Sequence, residues 1–284
     1  MTYPILLAHG IARFDALAQQ FAARDRGDTA DDRLHYFRRI RSTLEAAGFP
    51  TVHSSVPFAA SVTVRSYQLR ANVEDVLART GAARVHIIAH SMGGLDARHM
   101  LFDGRDDGVH RRVASLTTIG TPHLGTSFAD WGIRHTRDLF RLFEFAGIRS
   151  LDGFLDLTTD ACREFDARAR GFEESSGVLF QTVVGTQELP LIFGPLQLSS
   201  FILREREGPN DGLVSQLSAM WRAPYIYRHV DADHLNQVGW WDPNELGLRF
   251  FPSLGVTDES RREMEQRIRD LYLDIARDLA RRFP

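Results

Sequence analysis

A serine in a short pattern of small residues could act as a nucleophile. Ser91 follows the mostly apolar predicted strand of residues 84–90, and Ala89 and Gly93 stand two residues before and two residues after it. Where a buried strand turns sharply into a helix, the backbone at these two positions comes close to its neighbours, so both side chains must be small. The pattern therefore predicts a nucleophilic serine projecting above a sheet edge. Alanine at the first position departs from the commoner glycine, and a surface turn is the alternative interpretation.

Two downstream segments carry the partners that such a serine needs. Asp211 lies in the tight turn of residues 208–212, and His234 follows a predicted strand. A serine hydroxyl is a poor nucleophile until an imidazole accepts its proton, and a carboxylate fixes the tautomer of that imidazole and stabilises its charged form. The order serine, acid, histidine is the one that accompanies a nucleophile on a strand-to-helix turn. We therefore predict Ser91 as nucleophile, Asp211 as orienting acid and His234 as general base.

The negative charge of a tetrahedral intermediate needs hydrogen-bond donors. His9 and Gly10 end the first apolar segment, at the carboxyl edge of a predicted strand, and the next backbone N–H belongs to Ile11. Met92 directly follows the predicted nucleophile. We predict that the N–H groups of Ile11 and Met92 form an oxyanion hole, in which each donor is typically worth about 3 kcal/mol. The alternative for His9-Gly10 is a plain strand-ending turn.

Other acids and histidines compete for these roles. Asp231 and Asp233 lie too close to His234 in sequence to reach its far ring nitrogen easily, so we interpret them as loop or helix-capping carboxylates. The other histidines considered lack a following loop to present them to a serine; they are His53, His86, His90, His99 and His229.

The elements that must position these residues are readable from the hydrophobic pattern. Short apolar segments alternate with longer amphipathic ones, which predicts an α/β fold with a mostly parallel central sheet flanked by helices. The predicted strands are residues 4–9, 49–56, 84–90, 113–119, 178–185 and 224–230. The clearest helix is the last, where apolar residues from Met264 to Leu279 recur three or four apart. The 284 residues show no linker or internal repeat, so one domain, residues 1–284, is expected.

Composition excludes several classes of protein. A hydrophobic content of 43% and a charged content of 25% are typical of a soluble globular protein, and a net charge of -3 offers no basic surface for nucleic acid. No apolar segment approaches the roughly 20 residues of a membrane-spanning helix. The single cysteine, Cys162, excludes an internal disulfide and a thiolate zinc site. The first residues lack a signal-peptide pattern, which predicts a cytoplasmic protein, or a secreted one whose leader has been removed.

Together, these segments resemble the bacterial true lipases of the Pseudomonas and Burkholderia type, in the α/β-hydrolase superfamily. The resemblance is carried by residues 3–15, 89–94, 120–125, 210–214 and 234–238. It implies hydrolysis of acylglycerols through an acyl-enzyme, a mobile helical lid, and a calcium ion supporting the loop of the catalytic histidine. The sequence departs from the calcium pattern, because Asn236 stands where an acidic ligand is expected and no aspartate lies between Leu189 and Leu203. Calcium prefers charged oxygen ligands, so we expect no metal and no other cofactor.

An aromatic-rich segment, residues 128–154, is the candidate lid. Its apolar residues include Phe128, Trp131, Leu139 and Phe143, which we predict to contact the acyl part of a substrate. The apolar face of a lid covers an acyl groove when closed and meets lipid when open. An ordinary core helix is the alternative interpretation.

The predicted function is carboxylic-ester hydrolysis, with acylglycerols or other lipid esters as substrates and transient contact with a lipid interface. An esterase, polyester hydrolase, thioesterase or acyltransferase would use the same three residues, because the acyl pocket selects the substrate. The alternative from another class is a non-catalytic α/β-hydrolase-fold binding module. That alternative predicts the loss of Ser91, Asp211 or His234, and all three are present.

Overall fold

The central sheet of the protein is entirely parallel. A computed structural model describes residues 2–11, 32–33, 35–57, 60–135, 152–241 and 258–284. Its sheet has the strand order β2-β1-β3-β4-β5-β6, and every pairing is parallel. The strands are β1 (Ile5–Ala8), β2 (Thr51–His53), β3 (Val85–His90), β4 (Val113–Ile119), β5 (Leu179–Thr186) and β6 (Ile226–Asp231). Each overlaps a predicted segment, so the predicted α/β fold is confirmed.

Helices follow most of these strands, as a parallel sheet requires. In chain order they are α1 (Ile40–Ala46), α2 (Val62–Thr80), α3 (Met92–Asp103), α4 (Ser127–Arg134), α5 (Asp152–Leu155), α6 (Thr159–Ser175), α7 (Gln197–Glu207), α8 (Gln216–Met220) and α9 (Asp258–Arg282). Four of them begin at a capping hydroxyl that accepts a backbone N–H from the first turn: Ser61 for α2, Thr126 for α4, Thr158 for α6 and Ser215 for α8.

Both faces of the sheet are covered, which explains the nearly continuous apolar sequence of its central strands. On one face, Leu7 and Ile88 pack with buried residues of α1 and α9. On the other face, Leu6 and Ile87 pack with buried residues of α2 and α3. The alternation arises because successive side chains of a strand point to opposite faces. Because the strands are parallel, the carboxyl ends of β1, β3, β5 and β6 lie at the same edge of the sheet.

The C-terminal helix α9 has the predicted amphipathic pattern. Its apolar stripe is buried against the sheet; the stripe is Ile268, Leu271, Tyr272, Ile275 and Leu279. Among the residues described, no helix combines the length and apolar character needed to cross a membrane.

Buried ion pairs tie α3, the helix after the predicted nucleophile, to α6. The fully buried Arg98 donates through Nε to Glu173 at 2.7 Å and through Nη2 to Asp166 at 2.7 Å. Arg222 pairs with the same two carboxylates at 2.9 and 3.0 Å. The Arg98 guanidinium lies over the ring of Trp221, 4.2 Å from its centroid. Every charge in the cluster has a partner, and loss of one would leave others buried without full compensation.

We expect Arg98→Met to lower the free energy of unfolding by about 3–5 kcal/mol, because Asp166 and Glu173 would lose their fully buried partner and keep only Arg222 and, for Asp166, the exposed Arg170. The matched control is Arg79→Met, which removes an exposed pair with Asp75 at 2.9 Å and should cost no more than about 1 kcal/mol. Urea unfolding followed by circular dichroism measures both. Equal losses in the two variants would contradict the anchoring role of Arg98.

Candidate active site

Ser91 occupies a strained turn between β3 and α3. Its φ of 55° and ψ of -133° lie in a region that residues with a side chain seldom adopt. A Cβ on Gly93 would stand 2.5 Å from the carbonyl oxygen of Ala8. The small residue is therefore required because α3 begins directly against the end of β1, as the elbow pattern predicted.

The next glycine makes room for a hydrogen bond that holds the turn. A Cβ on Gly94 would lie 2.2 Å from Oγ1 of Thr121. That hydroxyl donates to the carbonyl oxygen of Ser91 at 2.9 Å, and the N–H of Ser91 donates to the carbonyl of Ile119 at 2.9 Å. The strand β4 and its following turn thus fix the backbone on both sides of the serine.

The structure brings Ser91, His234 and Asp211 into one line of hydrogen bonds. His234 Nε2 lies 2.9 Å from Ser91 Oγ, and His234 Nδ1 lies 2.8 Å from Asp211 Oδ2. All three side chains are buried. This geometry can pass a proton from the hydroxyl to the imidazole while the carboxylate faces the developing positive charge.

Asp211 is held in place from several directions. Its Oδ1 accepts the N–H groups of Leu213 at 3.0 Å and Val214 at 2.8 Å. Its Oδ2 accepts Nε2 of Gln237 at 2.9 Å in addition to His234. The N–H of His234 donates to the backbone carbonyl of Asp211 at 2.7 Å, so the two loops are joined by backbone and side-chain bonds.

The loop with the first predicted oxyanion donor runs directly beside the serine. A Cβ on Gly10 would lie 2.7 Å from Ser91 Cβ and 3.0 Å from its Oγ. A Cβ on Gly153 would contact Ile11 Cδ1 and Met92 Cε, each at 3.3 Å. The side-chain tips of Ile11 and Met92 therefore both lie near Gly153, and the backbone N–H groups of the two residues remain predicted oxyanion donors.

A buried ion pair joins this loop to α3. Arg65 is fully buried, donates through Nη2 to the carbonyl oxygen of His9 at 2.8 Å, and pairs with Asp96 of α3 at 2.7 Å. Burial raises the pKa of Asp96 to about 6, although the charge of Arg65 acts in the opposite direction. Neither residue carried a motif that identified it in the sequence.

A second histidine, His90 at the end of β3, lies beside the predicted base. The ring centroids of His90 and His234 are 4.5 Å apart, and His90 Nδ1 is hydrogen-bonded to the hydroxyl of Tyr36 at 2.7 Å. Burial, and then the proximity of His234, keep the pKa of His90 well below its ordinary value. His90 therefore stays neutral and adds no second positive charge when His234 takes up a proton. No sequence pattern indicated Tyr36.

Buried polar side chains fix the loop after β6. The fully buried Asp233 accepts the N–H groups of Phe193 at 2.6 Å, Leu235 at 2.9 Å and Asn236 at 2.8 Å. Asn236 accepts the N–H of Asp233 at 3.2 Å and donates through Nδ2 to the carbonyl oxygen of Trp240 at 2.8 Å. Asp231 is exposed. Asp233 is thus a loop carboxylate, as the sequence indicated.

This loop does not fit the calcium ion that the lipase resemblance implies. The amide of Asn236 is occupied at both ends by backbone groups, and both oxygens of Asp233 accept backbone N–H groups. In the described part of the chain, no group of three acidic, histidine or cysteine side chains could hold a metal ion. The described bonds join the loop to residue 193 without a metal.

The candidate lid is only partly described. Helix α4 carries Phe128, which is buried, and Trp131, which is half-buried; both pack in a cluster with Met92 and Phe154. The predicted substrate contacts Leu139 and Phe143 lie outside the described residues. Phe128 is therefore a core residue, and the contact of Phe128 and Trp131 with substrate stays a prediction.

Comparison with known proteins finds lipases and a related α/β domain. The family model of the PGAP1-like alpha/beta domain matches residues 68–146. Triacylglycerol lipase 2 of Saccharomyces cerevisiae is 27% identical over 315 residues, which cover 98% of this chain and 91% of the yeast protein. A triacylglycerol lipase of Burkholderia plantarii is 36% identical over 132 residues, covering 45% of this chain and 32% of that protein. The crystal structure of Bacillus licheniformis lipase BlEst2 in its mature form superposes with a TM-score of 0.63 at 19% identity, covering 82% of this chain and 85% of that one.

The parallel sheet, the serine elbow and the structural similarity show that the chain has the α/β-hydrolase fold. Its sequence is similar to those of proteins named triacylglycerol lipase, which confirms the resemblance seen in its sequence segments.

Asp233 should make stability depend on pH in a defined direction. Burial raises its pKa from 3.8 to about 7, so the folded protein binds this proton more tightly than the unfolded chain does. Its contribution to stability therefore falls as pH rises from about 4 to about 7. Asp233→Asn cannot titrate, and we expect the difference in free energy of unfolding between wild type and variant to be smaller at pH 8 than at pH 5. Urea titrations at both pH values measure it; a difference that stays constant or widens would refute the assignment.

Proposed function

We propose that the protein is a carboxylic-ester hydrolase that cleaves acylglycerols or other lipid esters, with Ser91 as nucleophile, His234 as general base and Asp211 as orienting acid. The observation that carries the proposal is the unbroken line of hydrogen bonds from the Asp211 carboxylate through His234 to the Ser91 hydroxyl. The relatives named triacylglycerol lipase support the substrate class.

In the acylation step, Ser91 Oγ bonds to the ester carbonyl carbon while its proton passes to His234 Nε2. The carbonyl oxygen becomes an oxyanion that accepts the N–H groups of Ile11 and Met92. Collapse of this intermediate breaks the bond to the alcohol oxygen, which takes the proton from His234 and leaves. Asp211 stays ionised throughout and stabilises the imidazolium.

In the deacylation step, His234 accepts a proton from water while the water oxygen attacks the carbonyl carbon of the acyl group bound to Ser91. Collapse of the second intermediate returns the proton to Ser91 Oγ and releases the carboxylic acid. Each step uses only groups already in the site, so we propose that the reaction needs no metal and no organic cofactor.

Replacement of Ser91 tests the mechanism. We expect Ser91→Ala to reduce hydrolysis of a p-nitrophenyl acyl ester by at least roughly 10⁴-fold, because no other group accepts the acyl chain. The assay includes EDTA, under which the wild-type protein should remain fully active. Fluorophosphonate labelling of the wild type, and its loss in the variant, identifies the labelled oxygen.

The matched control is Ser115→Ala. Ser115 is also buried and its hydroxyl lies 2.8 Å from Nδ1 of His86, but it sits inside β4 and not on an elbow. The control should keep wild-type turnover and labelling. Persistent turnover or labelling in Ser91→Ala would overturn the proposal.

We also propose that α7 contacts the lipid surface on which the substrate lies. Its residues Ile202 and Leu203 pack in the cluster that contains Met92, beside the proposed nucleophile. On the same helix, Leu198 and Phe201 expose 52% and 56% of their surface, and their spacing of three residues puts them on one face. An exposed apolar face that continues an apolar site wall fits lipid acyl chains.

Polar substitution of that face separates surface binding from catalysis. Leu198→Asp combined with Phe201→Asp should lower turnover of emulsified tributyrin about tenfold, because two apolar side chains no longer enter the lipid. Turnover of dissolved p-nitrophenyl acetate should stay within twofold. The control Leu217→Asp changes a 60% exposed leucine on α8, which packs against β5, and should affect neither substrate. Equal losses on both substrates would contradict the proposal.

A further inference from the structure

A buried amide on the loop of His234 contacts the proposed catalytic acid. Gln237 is fully buried, and its Nε2 donates to Asp211 Oδ2 at 2.9 Å. The same oxygen accepts Nδ1 of His234 at 2.8 Å. A second contact of Nε2, to the carbonyl oxygen of Ala232, is longer at 3.4 Å. One carboxylate oxygen therefore receives two side-chain donors, one from the base and one from Gln237.

The chemistry of the neighbours fixes which way this amide points. Nε2 faces two acceptors, the Asp211 carboxylate and the Ala232 carbonyl, and the reversed amide would set its oxygen against a carboxylate. In the described orientation, Oε1 of Gln237 is buried and finds no partner among the described residues. An unpaired buried carbonyl is unfavourable, and a methionine of similar size would avoid it. The presence of a glutamine at this position is therefore explained by the hydrogen bond that Nε2 donates to Asp211, and not by packing.

The surrounding backbone leaves a space shaped for this amide. A Cβ on Gly185 would lie 2.1 Å from Nε2 of Gln237, and one on Gly120 would lie 2.5 Å from Oε1. Gly120 also has a φ of 54°, which by itself favours glycine. Gly185 lies within strand β5 and has no such reason, and glycine weakens a strand interior. The space for Gln237 accounts for Gly185.

The backbone of Gln237 is anchored on two sides. Its N–H donates to the carbonyl oxygen of Asp233 at 3.1 Å, and its carbonyl accepts the hydroxyl of Tyr272 at 3.0 Å. Tyr272 is buried on α9. The backbone of Gln237 is thus held by the loop of His234 and by the C-terminal helix, and this fixes where its side chain starts relative to Asp211.

We propose that Gln237 is a positioning residue for the reaction: its amide keeps Asp211 Oδ2 aimed at His234 and withdraws part of the negative charge from that oxygen. This inference rests on the proposed function. Without the donor, the carboxylate loses one of the contacts that set its orientation. Oδ2 then interacts more strongly with a protonated His234, which stabilises the imidazolium and so favours the inactive, protonated resting form at low pH.

The groups that face this pair are few in the described part of the chain. Asp233 lies on the same loop, His90 faces His234 from β3 with Tyr36 bonded to it, and Tyr272 faces Gln237 from α9. Substitution of Gln237 changes none of these residues, so a shift in the pH profile reports the lost donor.

The experiment compares Gln237→Met and Gln237→Glu with the wild type. Methionine keeps the volume and removes the donor; glutamate keeps the shape and adds an acid beside Asp211. The values of kcat and KM for a dissolved p-nitrophenyl ester are measured from pH 5 to pH 9, per active site titrated with a fluorophosphonate. The control is Gln181→Met, a buried glutamine on β5 that contacts Thr117 and Asp278 and not the proposed triad.

We expect Gln237→Met to lower kcat about tenfold with KM within twofold, and to move the acid limb of kcat/KM to higher pH. Gln237→Glu should also move the limb to higher pH: the new carboxyl would share one proton with Asp211 at low pH, and release of that proton as the pH rises adds negative charge next to His234. Gln181→Met should keep the wild-type limb. A wild-type kcat per active site together with an unmoved limb in Gln237→Met overturns the inference; if that variant does not fold, an unmoved limb in Gln237→Glu does so. A wild type that turns over no ester would instead refute the proposed function.

Discussion

The strained backbone of Ser91 is the constraint on which the site depends. A residue with a side chain at φ 55° and ψ -133° is expected to cost on the order of 1–3 kcal/mol. The surrounding structure imposes it: β3 is paired on both sides, and α3 begins so close to β1 that position 93 has no room for a side chain. The strain delivers the hydroxyl to the carboxyl edge of the sheet, where the loops after β1 and β6 converge on it.

Two sets of buried ion pairs fix the backbone near Ser91. Arg65 joins the end of β1 to α3 through Asp96, and Arg98 joins α3 to α6 through Asp166 and Glu173. Buried ion pairs add little net stability compared with apolar packing, but they fix geometry because each charge tolerates few alternative partners. The elements on either side of the elbow are thereby kept in one arrangement.

The loop of His234 shows how side-chain polarity can hold a catalytic loop. Asp233 and Asn236 bind backbone groups on both sides of the histidine, and Gln237 reaches back to the acid. The resemblance to lipases implies a calcium ion at this loop. Here the polar side chains of Asp233, Asn236 and Gln237 make these contacts. Burial raises the pKa of Asp233 to about 7, so the stability of the loop depends on pH.

The sequence by itself determined the order of strands and helices, the parallel sheet, and the three residues that meet in the site. These follow from local patterns: hydrophobic period, small residues around Ser91, and loops after strands that carry Asp211 and His234. The tertiary structure alone decided the partners of those residues. Gln237 and Tyr36 lie 26 and 54 residues from the side chains they bind, Asp211 and His90. No local pattern encodes such contacts, because they depend on how distant segments meet in space and on the room that Gly120 and Gly185 leave there.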